Sequence, residues 1–227
     1  MSVTAIAYHG ELMSRWEPNA RGRLEQAAME LYRERGFDQT TVEEIAARAG
    51  LTERTFFRYF ADKREVLFWG SASLQEFLVE RLASAPDLTT PIDAVAGAFE
   101  ALAESFEERR DFARQRHALI ATHAELQERE LIKLASLASA IAAALLRRGL
   151  ADPAATLTAE TGVAIFKIAF EHWVNDAKRR DLAHHVRQSL DALKAVAAGR
   201  VIRGARPSSR TTRAPSRPKP ARKRRPG

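Results

Sequence analysis

Cysteine is missing from this 227-residue sequence. Its absence excludes disulfide bonds, thiolate metal sites and thiol nucleophiles, and it fits the reducing conditions of a cytoplasm. Long apolar runs are missing too, because the longest, residues 134–146, is too short to cross a bilayer and contains serines. The first residues lack a basic region followed by an apolar run, so we expect no signal peptide. The sequence therefore predicts a cytoplasmic protein without a membrane partner.

Acidic residues are missing from the last part of the chain. Residues 200–227 contain 11 lysines and arginines, spaced by proline and serine, and no aspartate or glutamate. Subtracting these 11 charges from the formal net charge of +7 leaves −4 for residues 1–199, so the high isoelectric point belongs to the tail. We expect this tail to be disordered. It either adds salt-dependent, sequence-independent affinity for DNA or acts as a passive solubilising extension.

What the sequence has in abundance is helical periodicity. Apolar residues recur at spacings of three and four, and no segment alternates convincingly with a period of two. Capping signals set the boundaries: Thr41 and Glu44 have the spacing of a capping box, and Thr52 caps the helix that follows. The pattern predicts an all-α fold of about nine helices, over residues 18–35, 41–49, 52–60, 62–82, 91–109, 112–123, 126–148, 153–175 and 182–198.

Aromatic residues make up only 7% of the chain, yet four of them fall within residues 56–60, with arginines beside them. Phe56 and Phe60 lie four positions apart on one helical face, where we expect each to be buried, with a contribution of roughly 1.5–3 kcal/mol. The other faces carry hydroxyls, arginines and two rings, which suit base edges, thymine methyls and phosphates. Two short helices with a tight turn at 49–51 have helix-turn-helix spacing.

Residues 36–68, GFDQTTVEEIAARAGLTERTFFRYFADKREVLF, closely resemble the DNA-binding domain of the tetracycline-repressor (TetR) family of regulators. The shared features are G-F after the first helix, T-T-V-x-x-I-A-x-x-A-G, and T-x-F-x-x-F followed by a lysine. The resemblance implies a homodimer that binds a pseudo-palindrome in double-stranded DNA and is a ligand-responsive regulator, most often a repressor. It divides the chain into a flexible N-terminus (1–14), a helix-turn-helix DNA-binding domain (15–62), a helical ligand-binding and dimerisation domain (63–199) and the tail (200–227).

The resemblance also implies roles for single residues of the helix-turn-helix region. Thr41 and Lys63 look like phosphate contacts at helix N-termini. Arg54 and Thr55 both look like base readers. The family often has tyrosine where this chain has Phe57, so this ring either touches a thymine methyl or packs. By the same resemblance, Arg58 is expected to reach a base or a phosphate, and Tyr59 is expected to hold a phosphate. The expected DNA-binding residues are Thr41, Thr52, Arg54, Thr55, Phe57, Arg58, Tyr59 and Lys63.

Residues 70–199 contain no hydrolase, kinase or dinucleotide signature, and no two histidines at metal spacing on one helix. We therefore expect no enzyme activity, no metal and no cofactor, which disfavours an enzyme with a fused DNA-binding head. The adjacent His184 and His185 are interpreted as surface residues. In the family, the helices that carry the aromatic residues of this region surround the inducer cavity. We expect an apolar or amphipathic effector, whose polar end could meet Arg114, Arg116, His117 or His123. The alternative is that the aromatic residues of this region pack in the ordinary hydrophobic core, because an aromatic stripe at helical spacing is also typical of a core. The candidate pocket residues are Phe99, Phe106, Phe112, Arg116, His117, His123, Phe166, Phe170 and Trp173.

In the family the last two helices form a four-helix dimer interface. This predicts interface positions in this chain, with ordinary packing within one chain as the alternative. A different class of function also remains open: an architectural or weakly sequence-selective DNA-binding protein that relies on its basic tail. The expected interface residues are Val163, Val186, Leu190 and Leu193.

Overall fold

The computed structural model describes residues 20–200. Within this range every regular element is a helix and no strand occurs, which confirms the predicted all-α fold class. The predicted flexible N-terminus and the predicted tail after residue 200 lie outside the described residues. A 3₁₀ helix, Glu65–Phe68, precedes α4. The α-helices are α1 (Ala20–Arg35), α2 (Val42–Arg48), α3 (Glu53–Tyr59), α4 (Ser71–Ala83), α5 (Pro91–Glu107), α6 (Arg110–Ala121), α7 (Ala124–Arg147), α8 (Ala154–Val174) and α9 (Leu182–Ala197).

Helices α1 to α3 form the N-terminal unit, with α2 packed on α1 and α3 packed on α2. The predicted capping box is confirmed, because the Glu44 amide donates to Thr41 Oγ1 and the Thr41 amide donates to Glu44 Oε2. Gly50 turns the chain between α2 and α3 at a φ of +65°, a conformation that favours glycine. The core of the unit is made of apolar side chains from all three helices and the adjoining loop, led by Leu24, Phe37, Ile45 and Phe56.

The predicted fourth helix is wrong as one continuous element. The Asp62 carboxylate accepts the amides of Arg64 and Glu65 and so starts the 3₁₀ helix Glu65–Phe68. A turn at residues 69–70, where glycine has low helix propensity, separates this short helix from α4. The three consecutive residues Val66, Leu67 and Phe68 are all buried, because the segment is enclosed between the N-terminal unit and the rest of the protein.

Helices α4 to α9 form the helical bundle, in which α8 and α9 pack on each other and on α5. Gly162 on α8 allows the close approach of α5: a Cβ atom there would lie 2.3 Å from Val95 Cγ1. Fully buried side chains such as Phe99, Ile141 and Trp173 fill the centre of the bundle. Within residues 20–200, no helix has the length and apolar character needed to cross a membrane.

Several polar contacts join the N-terminal unit and the 3₁₀ helix to the bundle. Arg109 at the start of α6 donates to the Glu25 carboxylate of α1 at 2.7 Å. Arg116 Nε of α6 donates to the Leu67 carbonyl at 2.7 Å. From α7, Lys133 and Arg129 both pair with the carboxylate of Glu65. These contacts connect α6 and α7 to α1 and to the 3₁₀ helix.

Candidate functional site

Helix α3 presents one apolar face to the core and a polar face to solvent. Phe56 is 0% exposed and Phe60 is 4% exposed, which confirms both as buried anchors. Their rings lie 5.5 Å apart between centroids. On the other side Arg54 and Arg58 are exposed, and Phe57 is 52% exposed. The outward face therefore offers two guanidinium groups and an aromatic ring to a partner.

The two threonines predicted for this face have local hydrogen bonds. Thr52 is the N-cap of α3, and its Oγ1 accepts the Thr55 amide at 3.2 Å. The two hydroxyl oxygens lie 3.0 Å apart. A cap of this kind typically stabilises a helix by about 1 kcal/mol, which matters for an element as short as α3. The threonines thus fix the start of the helix that carries Arg54.

Tyr59 lies at the end of α3 beside two arginines. Arg58 Nη2 donates to the Tyr59 hydroxyl at 3.0 Å, and its guanidinium carbon lies 4.8 Å from the ring centroid. Arg21 of α1 lies 5.3 Å from the same centroid. Arg21 was missed by sequence reasoning, because it precedes the motif and no local pattern connects it with Tyr59.

Lys63 is placed differently from the phosphate contact that was expected. Its Nζ donates to the carbonyl oxygens of Phe37, Asp38 and Thr40, at 2.8, 3.2 and 3.1 Å. It also lies 4.4 Å from the centroid of the Phe37 ring. An ammonium group has three donors, so these carbonyls occupy all of them. In this structure Lys63 therefore acts as a clamp on the loop between α1 and α2.

Six of the predicted pocket residues meet in one aromatic cluster inside the bundle. Phe99 and Phe166 stack with centroids 4.6 Å apart, and Phe170 and Trp173 lie 5.4 Å apart. The indole Nε1 of Trp173 is buried and has no hydrogen-bond partner among the described residues. The members of this cluster, which we call the aromatic cluster, are Phe99, Phe106, His117, Phe166, Phe170 and Trp173.

The other three predicted pocket residues lie at the junction with the N-terminal unit. Phe112 packs against the core of that unit, with the Arg109 guanidinium 4.1 Å from its ring centroid. The centroids of the His123 and Phe37 rings lie 5.3 Å apart. Arg116 binds the Leu67 carbonyl and so contacts the 3₁₀ helix rather than the aromatic cluster. All three belong to the connection between the two parts of the fold.

The predicted dimer residues lie mainly inside the single chain. Val186 is 0%, Val163 7% and Leu190 8% exposed, and Leu193 packs partly buried against the same core. These side chains pack within the bundle core of the chain, so their place in a dimer interface stays a prediction. The exposed apolar residues on these two helices are instead Leu157, Ile168 and Val196, at 63%, 48% and 65%.

His185 is also not the surface residue that was expected, since it is 3% exposed. Its Nε2 lies 3.1 Å from Asp176 Oδ2. A hydrogen bond from Arg180 lowers the pKa of Asp176, and burial lowers the pKa of His185. A proton on Nε2 of His185 can be donated to this carboxylate. Among residues 20–200, no three histidine or acidic side chains converge in a metal-binding arrangement.

A cleft of about 470 Å³ lies between α1 and the α5–α6 corner, lined by residues that include Glu25, Met29 and Phe112. Burial raises the pKa of the Glu25 carboxyl, while the adjacent Arg109 opposes that shift. The same burial lowers the pKa of Arg109. Glu25 is 6% exposed, so the carboxylate of this ion pair is largely shielded from water.

Two family models match the chain. Residues 25–68 match the model described as bacterial regulatory proteins, tetR family, and residues 89–198 match the model of the MftR C-terminal domain. HTH-type transcriptional regulator TcmR of Streptomyces glaucescens is 38% identical over 82 residues, and that match spans 36% of each protein.

Two further relatives extend over most of the chain. A Mycobacterium tuberculosis protein that carries the name mycofactocin biosynthesis transcriptional regulator MftR is 29% identical over 74% of this chain and 86% of its own length. Among solved structures, Thermus thermophilus FadR, a TetR-family transcriptional repressor in complex with lauroyl-CoA, is 28% identical. The alignment covers 82% of this chain and 97% of that one, with a TM-score of 0.50.

Proposed function

The chain belongs to the tetR family of bacterial regulatory proteins, and we propose that it is a repressor released from a pseudo-palindromic operator by an amphipathic small molecule. As a member of this family it is a DNA-binding transcriptional regulator and not an enzyme. Family members act as dimers and bind small-molecule ligands. The proposal concerns the operator, the effector and the residues that contact each of them.

The observation that carries the DNA-binding part is the division of α3 into two faces. Phe56 and Phe60 hold the helix on the core, while Arg54, Phe57 and Arg58 remain exposed. A helix anchored in this way can enter the major groove without losing its packing. An arginine at its start suits bidentate hydrogen bonds to guanine O6 and N7. We propose that Arg54 reads a base and that Phe57 contacts a thymine methyl.

Replacing Arg54 with alanine should weaken operator binding by roughly 1–3 kcal/mol per half-site and relax the preference for one base pair. Fluorescence anisotropy with the operator and with single-base variants of it would measure both effects. The matched control is Arg147→Ala, which removes an exposed arginine from the far end of the bundle. Wild-type affinity and base preference in the Arg54 variant would remove this residue from the reading face.

The aromatic cluster supports an effector with a large apolar part. Its rings pack against one another at 4.6 to 6.2 Å between α5, α6 and α8. An apolar chain that separates them would keep these surfaces away from water. The unpaired Trp173 N–H could then donate to a carbonyl group of the ligand. Because FadR of Thermus thermophilus was solved with lauroyl-CoA, we propose an acyl compound of this class as the effector.

Lauroyl-CoA should therefore release the protein from its operator. A typical coupling energy of about 1–3 kcal/mol corresponds to about 5- to 150-fold weaker DNA binding in its presence. A titration of the protein–operator complex with lauroyl-CoA would measure this, with coenzyme A and free laurate as separate controls. Release only by small, highly charged compounds would contradict an apolar effector site.

The contacts at the 3₁₀ helix provide a route from the effector to DNA. His117 of the aromatic cluster and Arg116 are neighbours on α6, and Arg116 holds the Leu67 carbonyl. We propose that ligand binding shifts α6, and that this contact moves the N-terminal unit. In a dimer such a shift changes the separation of the two α3 helices, which then no longer fit successive grooves.

The exposed apolar residues on α8 and α9 support a dimer interface at a new position. Leu157 and Ile168 lie on the same face of α8, since eleven positions correspond to about three helical turns. Val196 lies near the end of α9, a helix that packs on α8. We propose that this face of α8 and α9, rather than the buried Val186 and Leu190, contacts the second subunit.

Replacing Ile168 with aspartate should therefore shift the protein from dimer to monomer and weaken operator binding. Each buried isoleucine contributes about 1.5–3 kcal/mol, and one substitution affects both subunits. Analytical ultracentrifugation at micromolar concentration would give the mass. Leu131→Asp is the matched control, because Leu131 is 59% exposed on α7 and lies outside the proposed interface. A dimeric Ile168 variant, or a monomeric wild type, would contradict the proposed surface.

A further inference from the structure

Two arginines and a tyrosine lie together at the end of α3, on the exposed side of the N-terminal unit. Arg21 of α1 and Arg58 of α3 both lie against the Tyr59 ring, with guanidinium carbons 5.3 and 4.8 Å from its centroid. Arg58 also donates to the Tyr59 hydroxyl at 3.0 Å. One aromatic ring thus holds two cations from two different helices. We call these residues the Arg21–Tyr59–Arg58 group.

Among the residues that the structure describes, no carboxylate balances the charge of this group. Within residues 20–200, neither Arg21 nor Arg58 forms an ion pair with an aspartate or glutamate. This differs from Arg35 and Arg48 on the neighbouring helices, which pair with Glu44 and Glu34. Both guanidinium groups carry positive charge at the same ring, and an anion that contacts both would offset their mutual repulsion. The planar forks of arginine suit the oxygens of a phosphate group.

We propose that Arg21 and Arg58 together bind a backbone phosphate of DNA beside Tyr59. The inference rests on the proposed DNA-binding function of α3. Arg58 directly follows the exposed Phe57, so a helix that places Phe57 at the base edges brings Arg58 to the rim of the groove, where the phosphates lie. Arg21 then fixes α1 to the same phosphate. The match to the tetR family begins at residue 25, so nothing in the motif assigns a role to Arg21.

A phosphate contact makes a specific prediction for the salt dependence of binding. Arg21→Gln should weaken binding to the operator and to an unrelated duplex by the same factor, about tenfold for each of the two copies at ~0.1 M salt. The slope of the logarithm of the affinity against the logarithm of salt concentration should fall by about one for each copy. Arg21→Lys, which keeps the charge, should retain most of that slope. Arg33→Gln is the matched control, because Arg33 is an exposed arginine at the other end of α1.

Fluorescence anisotropy over a series of salt concentrations would measure these quantities in the full chain, with circular-dichroism melting to compare the folded state of each variant. An Arg21→Gln protein with wild-type affinity and slope, beside a wild type that binds its operator, would overturn the phosphate site and leave the proposed function standing. A change in base preference instead of a uniform loss would also overturn it. Failure of the wild type to bind any selected duplex would overturn the proposed function itself.

Discussion

Alanine in place of Phe56 is expected to destabilise the N-terminal unit by about 3–5 kcal/mol and to abolish operator binding. Phe56 is 0% exposed. The centroid of its ring lies 5.6 Å from that of Phe57 and 5.5 Å from that of Phe60. Helix α3 has 7 residues, far fewer than an isolated helix needs in water. Its order therefore depends on this packing, and the cavity left by the ring would remove the main anchor.

The neighbouring phenylalanine provides the control for that experiment. Phe57 is 52% exposed, so Phe57→Ala should change the free energy of unfolding little and affect mainly DNA binding. Urea denaturation followed by circular dichroism would measure the stability of both variants in the full chain. Equal destabilisation by the two substitutions would show that α3 is anchored in a different way.

Methionine in place of Arg109 is the second substitution with a large expected effect, a loss of about 3–5 kcal/mol in stability. Arg109 pairs at 2.7 Å with Glu25, which is 6% exposed, at the junction of the N-terminal unit and the bundle. The substitution leaves a buried carboxylate without its partner. The double variant Glu25→Gln/Arg109→Met should recover much of the loss, because it carries no unpaired charge at this position.

The pH dependence gives a further test of the same pair. Burial already raises the pKa of Glu25 above its ordinary value of 4.5, and the loss of Arg109 would raise it further. A carboxyl whose pKa is higher in the folded than in the unfolded state favours folding at low pH, and this contribution is lost as the pH rises through the folded-state pKa. The loss in free energy of unfolding caused by Arg109→Met should therefore be larger at pH 8 than at pH 5. A loss of stability independent of pH would contradict this origin.

Local signals in the sequence predict the helices and their start points well. The caps at Thr41 and Thr52 depend on residues only three positions away, and each is confirmed by a hydrogen bond to the side-chain oxygen. The burial of Phe56 and Phe60 follows from their spacing of four on one short helix. These features are determined within a few turns of chain, so periodicity and capping patterns contain the necessary information.

Contacts between distant segments are not predictable in this way. Lys63 meets carbonyl oxygens more than twenty residues earlier in the chain, and Arg116 meets a carbonyl 49 positions away. Neither has a local signal that distinguishes a clamp from a free cation. Helix α8 is apolar on more than one side, so its sequence alone does not tell which of Val163 and Ile168 faces the core. That choice depends on the close approach of α5 at Gly162.

The break before α4 has a similar origin. The acidic residues at positions 62 and 65 suggest the start of one long helix. The side chains of residues 66–68 are instead all buried between two parts of the fold, which one face of an α-helix could not achieve. Tertiary enclosure therefore overrides a local helix signal here, at the segment that connects the bundle to the N-terminal unit.

Hydroxyl-radical footprinting of the full chain on DNA selected from random sequence tests the central claim most directly. If the exposed face of α3 reads bases in each subunit of a dimer, the footprint will show two related half-sites with centres about 34 Å apart, on one side of the duplex. Arg54→Ala should lose this pattern, and Arg147→Ala should keep it. Even protection along the DNA, without discrete half-sites, is the pattern of an architectural binder and would contradict the account.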